Sequence, residues 1–257
     1  MTRSLTEDRP YEDPAWLAEH LREERHDADL LGEIREALFG MQDGLVSTLA
    51  VVSTVSGATN DRFTILVAGI ATALAGVFSM GAGEYIGSKS QREIFDAQVE
   101  RERDEVAARP AEAEAEVAYM LEEEGLAPDA SRRVAAEFAR EPNVLLRTMV
   151  EKELGIAVEE GRGALHGAIV MAASFGIAAA VPIVPYLLLE VDRAVPAAVL
   201  VSAAVLFAIG VVKSRWTRRN PVASGLQVVL LAAFAGVAGY LFGSLLPDLL
   251  GVSPPVV

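Results

Sequence analysis

The chain has 257 residues, of which 52% are hydrophobic and 23% are charged, and its formal net charge at pH 7 is -14. So acidic a protein lacks the basic patch that binding to a phosphate backbone requires, which argues against a nucleic-acid partner. The absence of cysteine excludes disulfides, thiolate metal sites and cysteine nucleophiles. Such high apolar and charged contents together predict that the two are segregated along the chain, as in membrane proteins.

The N-terminal segment, residues 1–35, is polar and then amphipathic. It lacks the basic start and apolar core of a secretory signal, so membrane insertion is expected to depend on internal segments. Asp13 followed by Pro14 is a helix N-cap pattern, and apolar residues then recur at roughly helical spacing. We expect an amphipathic helix that lies along the membrane surface or packs on a soluble domain.

Five apolar segments follow, each long enough, at roughly 20 residues, to cross the hydrocarbon core of a bilayer. Their approximate bounds are 37–58, 63–87, 164–189, 194–212 and 222–246. Very short connections join the first to the second and the third to the fourth, which predicts helical hairpins. The predicted fold class is therefore an all-α membrane protein with five transmembrane helices, two in residues 36–88 and three in residues 164–250.

Lysine and arginine are distributed unevenly between the two sides of the predicted bundle. Of the 22 such residues, only Arg62 and Arg193 fall in the two very short connections, and the others precede the first span or lie in the connections 88–163 and 213–221. The positive-inside rule then predicts a cytoplasmic N-terminus and long connection, with the C-terminus outside. The absence of an organelle signal favours a prokaryotic plasma membrane.

Two of the apolar segments carry acids that a bilayer disfavours. Asp43 lies about two turns into the first segment, and Met80 and Glu84 in the second are four residues apart, so they share a helical face. A carboxylate kept inside a membrane usually faces a bundle interior or a water-filled path. The combination predicts a pathway for a metal ion or a proton.

The long connection, residues 89–163, is predicted to form a cytosolic, acidic helical insert that binds metal. Several of its potential ligands are three or four residues apart and therefore share helical faces. These candidate ligands are Glu102, Glu105, Glu112, Glu116, Met149 and Glu153. Carboxylates suit hard and borderline cations, and a methionine sulfur shifts the preference towards a transition metal such as iron(II) or manganese(II). A solvated glutamate-rich surface is the alternative interpretation.

Small residues in the spans predict close helix packing. Gly83 and Gly87 form one pair at four-residue spacing, and Gly239 and Gly243 form another. Such pairs allow two helix backbones to approach closely in a membrane.

Several stretches together resemble the vacuolar iron transporter family. They are residues 39–47 (FGMQDGLVS), residues 79–85 (SMGAGEY) with Ser90 and Gln91, the Glu102 and Glu105 pair, Pro110 with Glu116, Met149 with Glu153, and residues 182–186 (PIVPY). The resemblance covers roughly residues 35–246, with five spans and a helical insert after the second.

The resemblance implies a homodimer that moves iron(II), and often manganese(II), out of the cytosol in exchange for protons. The metal is then the substrate, and no permanently bound cofactor is expected. It implies an ion path near the dimer interface, with Glu36 at the cytosolic mouth and Asp43 and Met80 as pathway ligands. Glu84 matches the family motif, and we interpret it as a ligand, a proton carrier or a packing residue. The implied insert ligands are Glu102, Glu105, Glu116, Met149 and Glu153.

The chain departs from the family pattern at two positions. Ala113 stands where a glutamate is expected to pair with Glu116, with Glu112 and Glu114 beside it. Either a neighbouring glutamate replaces the missing one, or the insert binds fewer ions. Thr72 stands where some members carry an acid, which leaves the details of proton coupling open.

A membrane-anchored metal buffer or sensor is the alternative function. In that case the insert is the functional part, and Asp43 and Met80 are dispensable. An enzyme such as a ferroxidase is not expected, because ferritin-like di-iron sites need Glu-x-x-His pairs and residues 88–163 contain no histidine. His166, at the start of the third span, is interpreted as an interfacial residue.

Overall fold

The computed structural model describes residues 13–153, 155, 163–217 and 219–250, and these residues form helices without any strand. Residues 1–12 of the predicted N-terminal segment lie outside the described part. The helices are α1 (Pro14–Ala58), α2 (Arg62–Ala108), α3 (Pro110–Glu123), α4 (Pro128–Phe138), α5 (Pro142–Glu153), α6 (Ala164–Leu188), α7 (Val191–Thr217) and α8 (Pro221–Leu250).

The chain divides into two compact units. The first, here called the bundle unit, comprises Met1–Tyr85 and Gly163–Val257. The second, the insert unit, comprises Ile86–Arg162.

Four helices within the described residues are long and apolar enough to cross a membrane, namely α1, α2, α6 and α7. This finding confirms the all-helical membrane class. Helix α8 has 30 residues and contains two shorter apolar stretches, Pro221–Leu230 and Gly236–Leu245. Four of the five predicted spans are thus found by this measure, and the fifth remains a prediction.

The first two helices are longer than the spans they contain. The predicted N-cap of α1 is confirmed, since an Asp13 carboxylate oxygen accepts a hydrogen bond from the Ala15 N–H at 2.9 Å. From Pro14 no further proline interrupts the chain before Ala58, so the amphipathic segment and the first span form one helix. In the same way, α2 joins the second span to the first helical stretch of the insert and ends just before Pro110.

In the bundle unit, α1 packs against α6, α8 and α7, and α7 packs against α6 and α8. The predicted close approach at Gly239 is confirmed, because a Cβ there would lie 2.8 Å from the Ala50 carbonyl oxygen of α1. Gly243 meets the backbone of Thr54 in the same way. A Cβ at Gly83 or Gly87 would instead meet no atom within 4 Å.

Phe175 of α6 lies between α1 and α2. It is 2% exposed. A Cβ added at Gly44 of α1 would collide with the Phe175 carbonyl oxygen, and one added at Gly76 of α2 would collide with the Phe175 ring. The two glycines therefore allow three helices to meet at one level of the bundle.

Three prolines define the helix starts of the insert unit. Pro110, Pro128 and Pro142 occupy the first positions of α3, α4 and α5, where proline costs no helical hydrogen bond. Helix α3 packs on α4 and α5. Gly125 follows α3 with a φ of 103°, the left-handed conformation that glycine adopts readily after a helix. The buried core of this unit comprises Val106, Ala113, Val117, Ala118, Leu121, Ala135, Leu145, Leu146, Met149 and Val150.

We predict that Gly44→Ala destabilises the bundle unit, because the added methyl group has no space beside the Phe175 backbone. Overpacking of this kind costs roughly 1–3 kcal/mol. Thermal unfolding of the purified protein in detergent should therefore begin at a lower temperature. The matched control is Gly32→Ala in the same helix, where no atom lies within 4 Å of the added Cβ. Equal unfolding temperatures for the two variants would contradict the prediction.

Candidate functional site

The four candidate residues of the bundle unit lie on α1 and α2. Glu36 and Asp43 are seven residues apart on α1 and so point in nearly the same direction, and Met80 and Glu84 are one turn apart on α2. All four side chains are partly buried. Each helix thus presents one pair of candidate ligands on one side, at or near its apolar stretch.

The Glu36 carboxylate packs directly on the backbone of α6. A Cβ added at Gly167 would lie 2.8 Å from one Glu36 carboxylate oxygen, so a larger residue there would require this side chain to move. Glu84, Arg35 and His166 are the charged or titratable side chains that interact electrostatically with it. The structure therefore brings the predicted residues Glu36 and Glu84 into one electrostatic group, beside the first turn of α6.

A histidine and a further glutamate, both absent from the predicted site, lie in this region. His166 Nε2 is 2.7 Å from a Glu33 carboxylate oxygen, which ties the start of α6 to α1. The two residues are 133 positions apart in the sequence, so no local spacing could have revealed the pair. His166 thus has a specific acidic partner in addition to its predicted position at the start of a span.

Asp43 borders a small cavity of about 120 Å³. The cavity is lined by Phe39, Gln42, Asp43 and Val46, which together form one face of α1. Gly40 and Gly44 lie on another face of the same helix and contact α6, since a Cβ at Gly40 would be 2.6 Å from the Met171 carbonyl oxygen. The Asp43 side chain therefore lies beside a cavity whose lining belongs to α1 alone.

Asp43 and Met80 lie on α1 and α2, and α6 separates these two helices at the level of Phe175. Asp43 is adjacent to Gly44 and Met80 is one turn beyond Gly76, and Phe175 occupies the space between these two glycines. Among the described residues, no group of three or more His, Asp or Glu side chains is placed so that it could hold a metal ion. Within the part of the chain that the structure describes, the acids of one copy therefore do not form a closed metal site.

Five of the predicted glutamates of the insert unit interact electrostatically, although no three of those described are placed so that they could hold a metal ion. The pKa of Glu102 is raised, first by burial and then by the charges of Glu153, Glu105 and Glu116. These side chains come from α2, α3 and α5, so the fold brings together acids that are far apart in the sequence.

The pKa of Glu116 is also raised, again first by burial and then by the charges of Glu105, Glu153 and Glu112. Arg109 opposes this shift. The mutual repulsion of these acids favours either protonation or the binding of a cation.

Arg109 is a member of this cluster that the sequence analysis missed. Its Nη1 lies 2.8 Å from a Glu112 carboxylate oxygen, and its Nη2 forms an ion pair with Glu105. These partners are three and four residues from Arg109, the helical spacing of side-chain ion pairs, so local spacing could have identified it. Arg109 supplies positive charge where a metal is predicted to bind.

Met149 and Ala113 both lie in the core of the insert unit rather than at its surface. Each is 0% exposed, and both belong to the same hydrophobic cluster. A glutamate at position 113 would carry its charge into this apolar core, which is costly, so alanine fits the position better in this chain. Glu112, by contrast, is exposed.

The helical fold and its four long apolar helices define the chain as a helical integral membrane protein. It belongs to the VIT family, whose sequence model matches residues 34–244. Membership confirms the resemblance seen in the sequence.

Known relatives match this chain over most of their length. It is 33% identical over 208 residues to vacuolar iron transporter 2 of Oryza sativa subsp. japonica, covering 80% of this chain and 85% of the relative. It is 32% identical over 225 residues to vacuolar iron transporter 1 of Tulipa gesneriana, with coverages of 87% and 90%. A vacuolar iron transporter of Plasmodium falciparum (isolate 3D7) is 28% identical, with coverages of 93% and 94%.

These similarities confirm the broad functional class. The family is one of transporters and not of enzymes, as the sequence predicted. They support metal transport as the general activity.

We predict that Glu102→Gln and Glu116→Gln raise the unfolding temperature of the metal-free protein at pH 7. Each pKa is raised above its ordinary value of 4.5, so the folded state holds its protons more tightly than the unfolded state. The free energy of unfolding therefore falls as the pH rises above about 4.5 and through the raised pKa. Glutamine carries no charge, so this fall is absent in the variants. Differential scanning fluorimetry would measure the rise in unfolding temperature. Repeated with added manganese(II), it should show less stabilisation by the metal in the variants than in the wild type.

The matched control for these variants is Glu137→Gln, which lies in the same unit and forms an exposed ion pair with Arg140. Its loss should leave the unfolding temperature nearly unchanged or slightly lower, because exposed ion pairs contribute little. A similar rise in all three variants would show that general charge reduction, and not the cluster, is responsible.

Proposed function

We propose that this protein is a divalent transition-metal transporter that exports iron(II), and also manganese(II), from the cytosol in exchange for protons. The observation that carries the proposal is the placement of Glu36 and Asp43 on one side of a membrane-spanning helix, with Glu84 close to Glu36. Relatives that cover most of the chain are named vacuolar iron transporters, which supports iron as the substrate.

In this proposal Glu36 is the entry to the path and Asp43 and Met80 are ligands further along it. Glu84 acts on Glu36 electrostatically and contributes either a ligand or a proton carrier. Carboxylates bind metal well only when deprotonated, so protons arriving at Asp43 or Glu84 would weaken metal binding there. This competition couples the outward step of the metal to the return of protons.

We propose that two copies complete the path. A half-buried carboxylate is costly in contact with lipid, and the cavity beside Asp43 is lined by α1 alone. Pairing of two α1 faces across a dimer axis would place a second Asp43 opposite the first and remove both from lipid. This arrangement also explains why one chain does not gather three acidic ligands among its described residues.

The insert is proposed to capture metal on the cytosolic side. Glu102, Glu105, Glu112, Glu116 and Glu153 form a cluster whose repulsion a divalent cation would relieve. Met149 is proposed as a ligand only if the core rearranges to expose its sulfur, because that side chain is buried.

The proposed topology has five spans, with α8 as the fifth. It divides the chain into an N-terminal segment 1–35, spans in 36–88, the cytosolic insert 89–163 and spans in 164–250. The charge distribution of the connections favours a cytoplasmic N-terminus and insert, with the C-terminus outside. We propose a prokaryotic plasma membrane as the location.

We predict that Asp43→Ala abolishes proton-driven metal flux. The test is iron(II) uptake into proteoliposomes with an acidic interior, because the variant lacks the central carboxylate of the path. Wild-type uptake should require the pH gradient. Asp192→Ala, which removes an exposed carboxylate from the first turn of α7, is the control and should retain uptake.

Two results would contradict the transporter proposal. Metal binding without flux, in the wild type and in the variant alike, would favour a membrane-anchored buffer or sensor, a function that the glutamate cluster alone could perform. Flux that is unchanged in Asp43→Ala would remove Asp43 from the path.

We predict that single cysteines on the Asp43 face of α1 cross-link two copies in the membrane. The chain has no cysteine, so Phe39→Cys and Val46→Cys each introduce the only reactive thiol. Oxidation with copper phenanthroline should give a covalent dimer on a denaturing gel. Leu200→Cys on α7, which is 69% exposed, is the control and should stay monomeric. Equal cross-linking at all three positions would argue against a specific interface.

A further inference from the structure

A cavity of about 610 Å³ lies where α7 ends and α8 begins. This volume is in the range of cavities that bind small molecules, roughly 300–1,000 Å³. Polar and basic residues provide most of its lining, namely Lys213, Thr217, Arg219, Asn220, Ser224 and Gln227. Of the described residues that line it, none is acidic.

The cavity lies beside a close contact between α7 and α8. The two helices cross closely where Gly210 faces Gly225, since a Cβ at Gly210 would lie 2.6 Å from the Gly225 Cα. Near this contact, Lys213 and Thr217 are one turn apart on α7, and Ser224 and Gln227 are three residues apart on α8. Each pair therefore lies on one helical face, and the two faces border the same cavity.

The lining groups are suited to an anion. Lys213 contributes an ammonium group and Arg219 a guanidinium group, which are the side chains that proteins use to bind phosphate. The Asn220 carbonyl oxygen accepts hydrogen bonds from the backbone N–H groups of Val222 and Ala223, at 2.9 and 3.3 Å. This engagement leaves the Asn220 amide NH₂ as a donor, beside the hydroxyl of Ser224 and the amide of Gln227.

Charge separates this cavity from the proposed metal path. The protein as a whole carries a net charge of -14, yet two cations and no described acid line this space. A divalent metal ion would be repelled here, so the cavity does not extend the path of Glu36 and Asp43. An anionic ligand would relieve the repulsion between the two cations.

The position of the cavity along α7 matches the membrane surface. Lys213 directly follows the apolar part of α7, and Trp216, which is 46% exposed, lies in the next turn. A tryptophan beside basic residues at the end of a span is typical of the lipid headgroup region. Basic pockets between spanning helices at this depth bind the phosphates of anionic lipids.

We propose that the cavity between α7 and α8 binds a phosphate group through Lys213 and Arg219, carried either by a phospholipid headgroup or by a soluble phosphate compound. The site is separate from the proposed transport path and does not depend on the identity of the transported metal.

The test is isothermal titration of the full-length protein in detergent micelles with three probes. Dihexanoyl phosphatidylglycerol presents a lipid-borne phosphate, inorganic phosphate presents a free one, and dihexanoylglycerol has the same chains without phosphate. The variant Lys213→Gln/Arg219→Gln should weaken phosphate binding by about tenfold or more, since each cation near a headgroup contributes appreciably. Binding should also weaken as the ionic strength is raised.

Arg219→Gln and Arg215→Gln form the matched pair of single variants. Both remove one exposed arginine near the same helix connection, but only Arg219 lines the cavity. We expect Arg219→Gln to weaken binding several-fold and Arg215→Gln to leave it within about twofold. Circular dichroism and gel filtration check folding, and if the double variant fails to fold, this pair alone decides the test.

The outcomes distinguish the source of the phosphate. If phosphatidylglycerol binds and inorganic phosphate does not, the ligand is a lipid headgroup. If both bind, a soluble phosphate compound is supported as well. The proposal is overturned if neither phosphate probe binds or if dihexanoylglycerol binds as tightly as phosphatidylglycerol. Equal losses in Arg215→Gln and Arg219→Gln would also overturn it.

Discussion

The contact between α1 and α6 is the constraint on which the rest of the bundle depends. Gly40 and Gly44 bring the backbone of α1 against residues Met171 and Phe175, and Gly167 lets the Glu36 carboxylate rest on the same helix one turn earlier. With α6 fixed in this way, Asp43 lies on an adjacent face of α1, beside the cavity that it lines with Phe39, Gln42 and Val46. The same placement of α1 therefore has two results. It packs the bundle closely, and it leaves an acid exposed in a membrane span.

The two units bring acids together in different ways. In the bundle unit the candidate acids are Glu36, Asp43 and Glu84, which are spread along α1 and α2 and partly buried, so the energetic cost of each charge is high. In the insert unit they are numerous and come from three helices, and their pKa values are raised by burial and mutual repulsion. In the proposed function a cation would stabilise both arrangements, with transient occupancy along a path in the first and accumulation in the second.

Local patterns predicted much of this structure. The N-cap at Asp13 and the close packing at Gly239 and Gly243 depend on residues near one another in the chain, and both follow from local patterns. The pairing of Glu33 with His166 and the burial of Met149 could not be predicted in this way. They depend on which helices pack together, and contacts between residues far apart in the chain determine that packing.

Arg109 has a consequence for how the glutamate cluster would select its ligand. Because its guanidinium already pairs with Glu105 and Glu112, a metal that binds these carboxylates must exchange with a cation that is covalently attached to the chain. An attached competitor is present at a high local concentration that dilution cannot lower. Weakly held monovalent ions such as potassium would be displaced by it, whereas a divalent ion that several carboxylates coordinate at once would prevail. The cluster would then select divalent over monovalent cations, before the chemistry of its ligands selects one divalent metal over another.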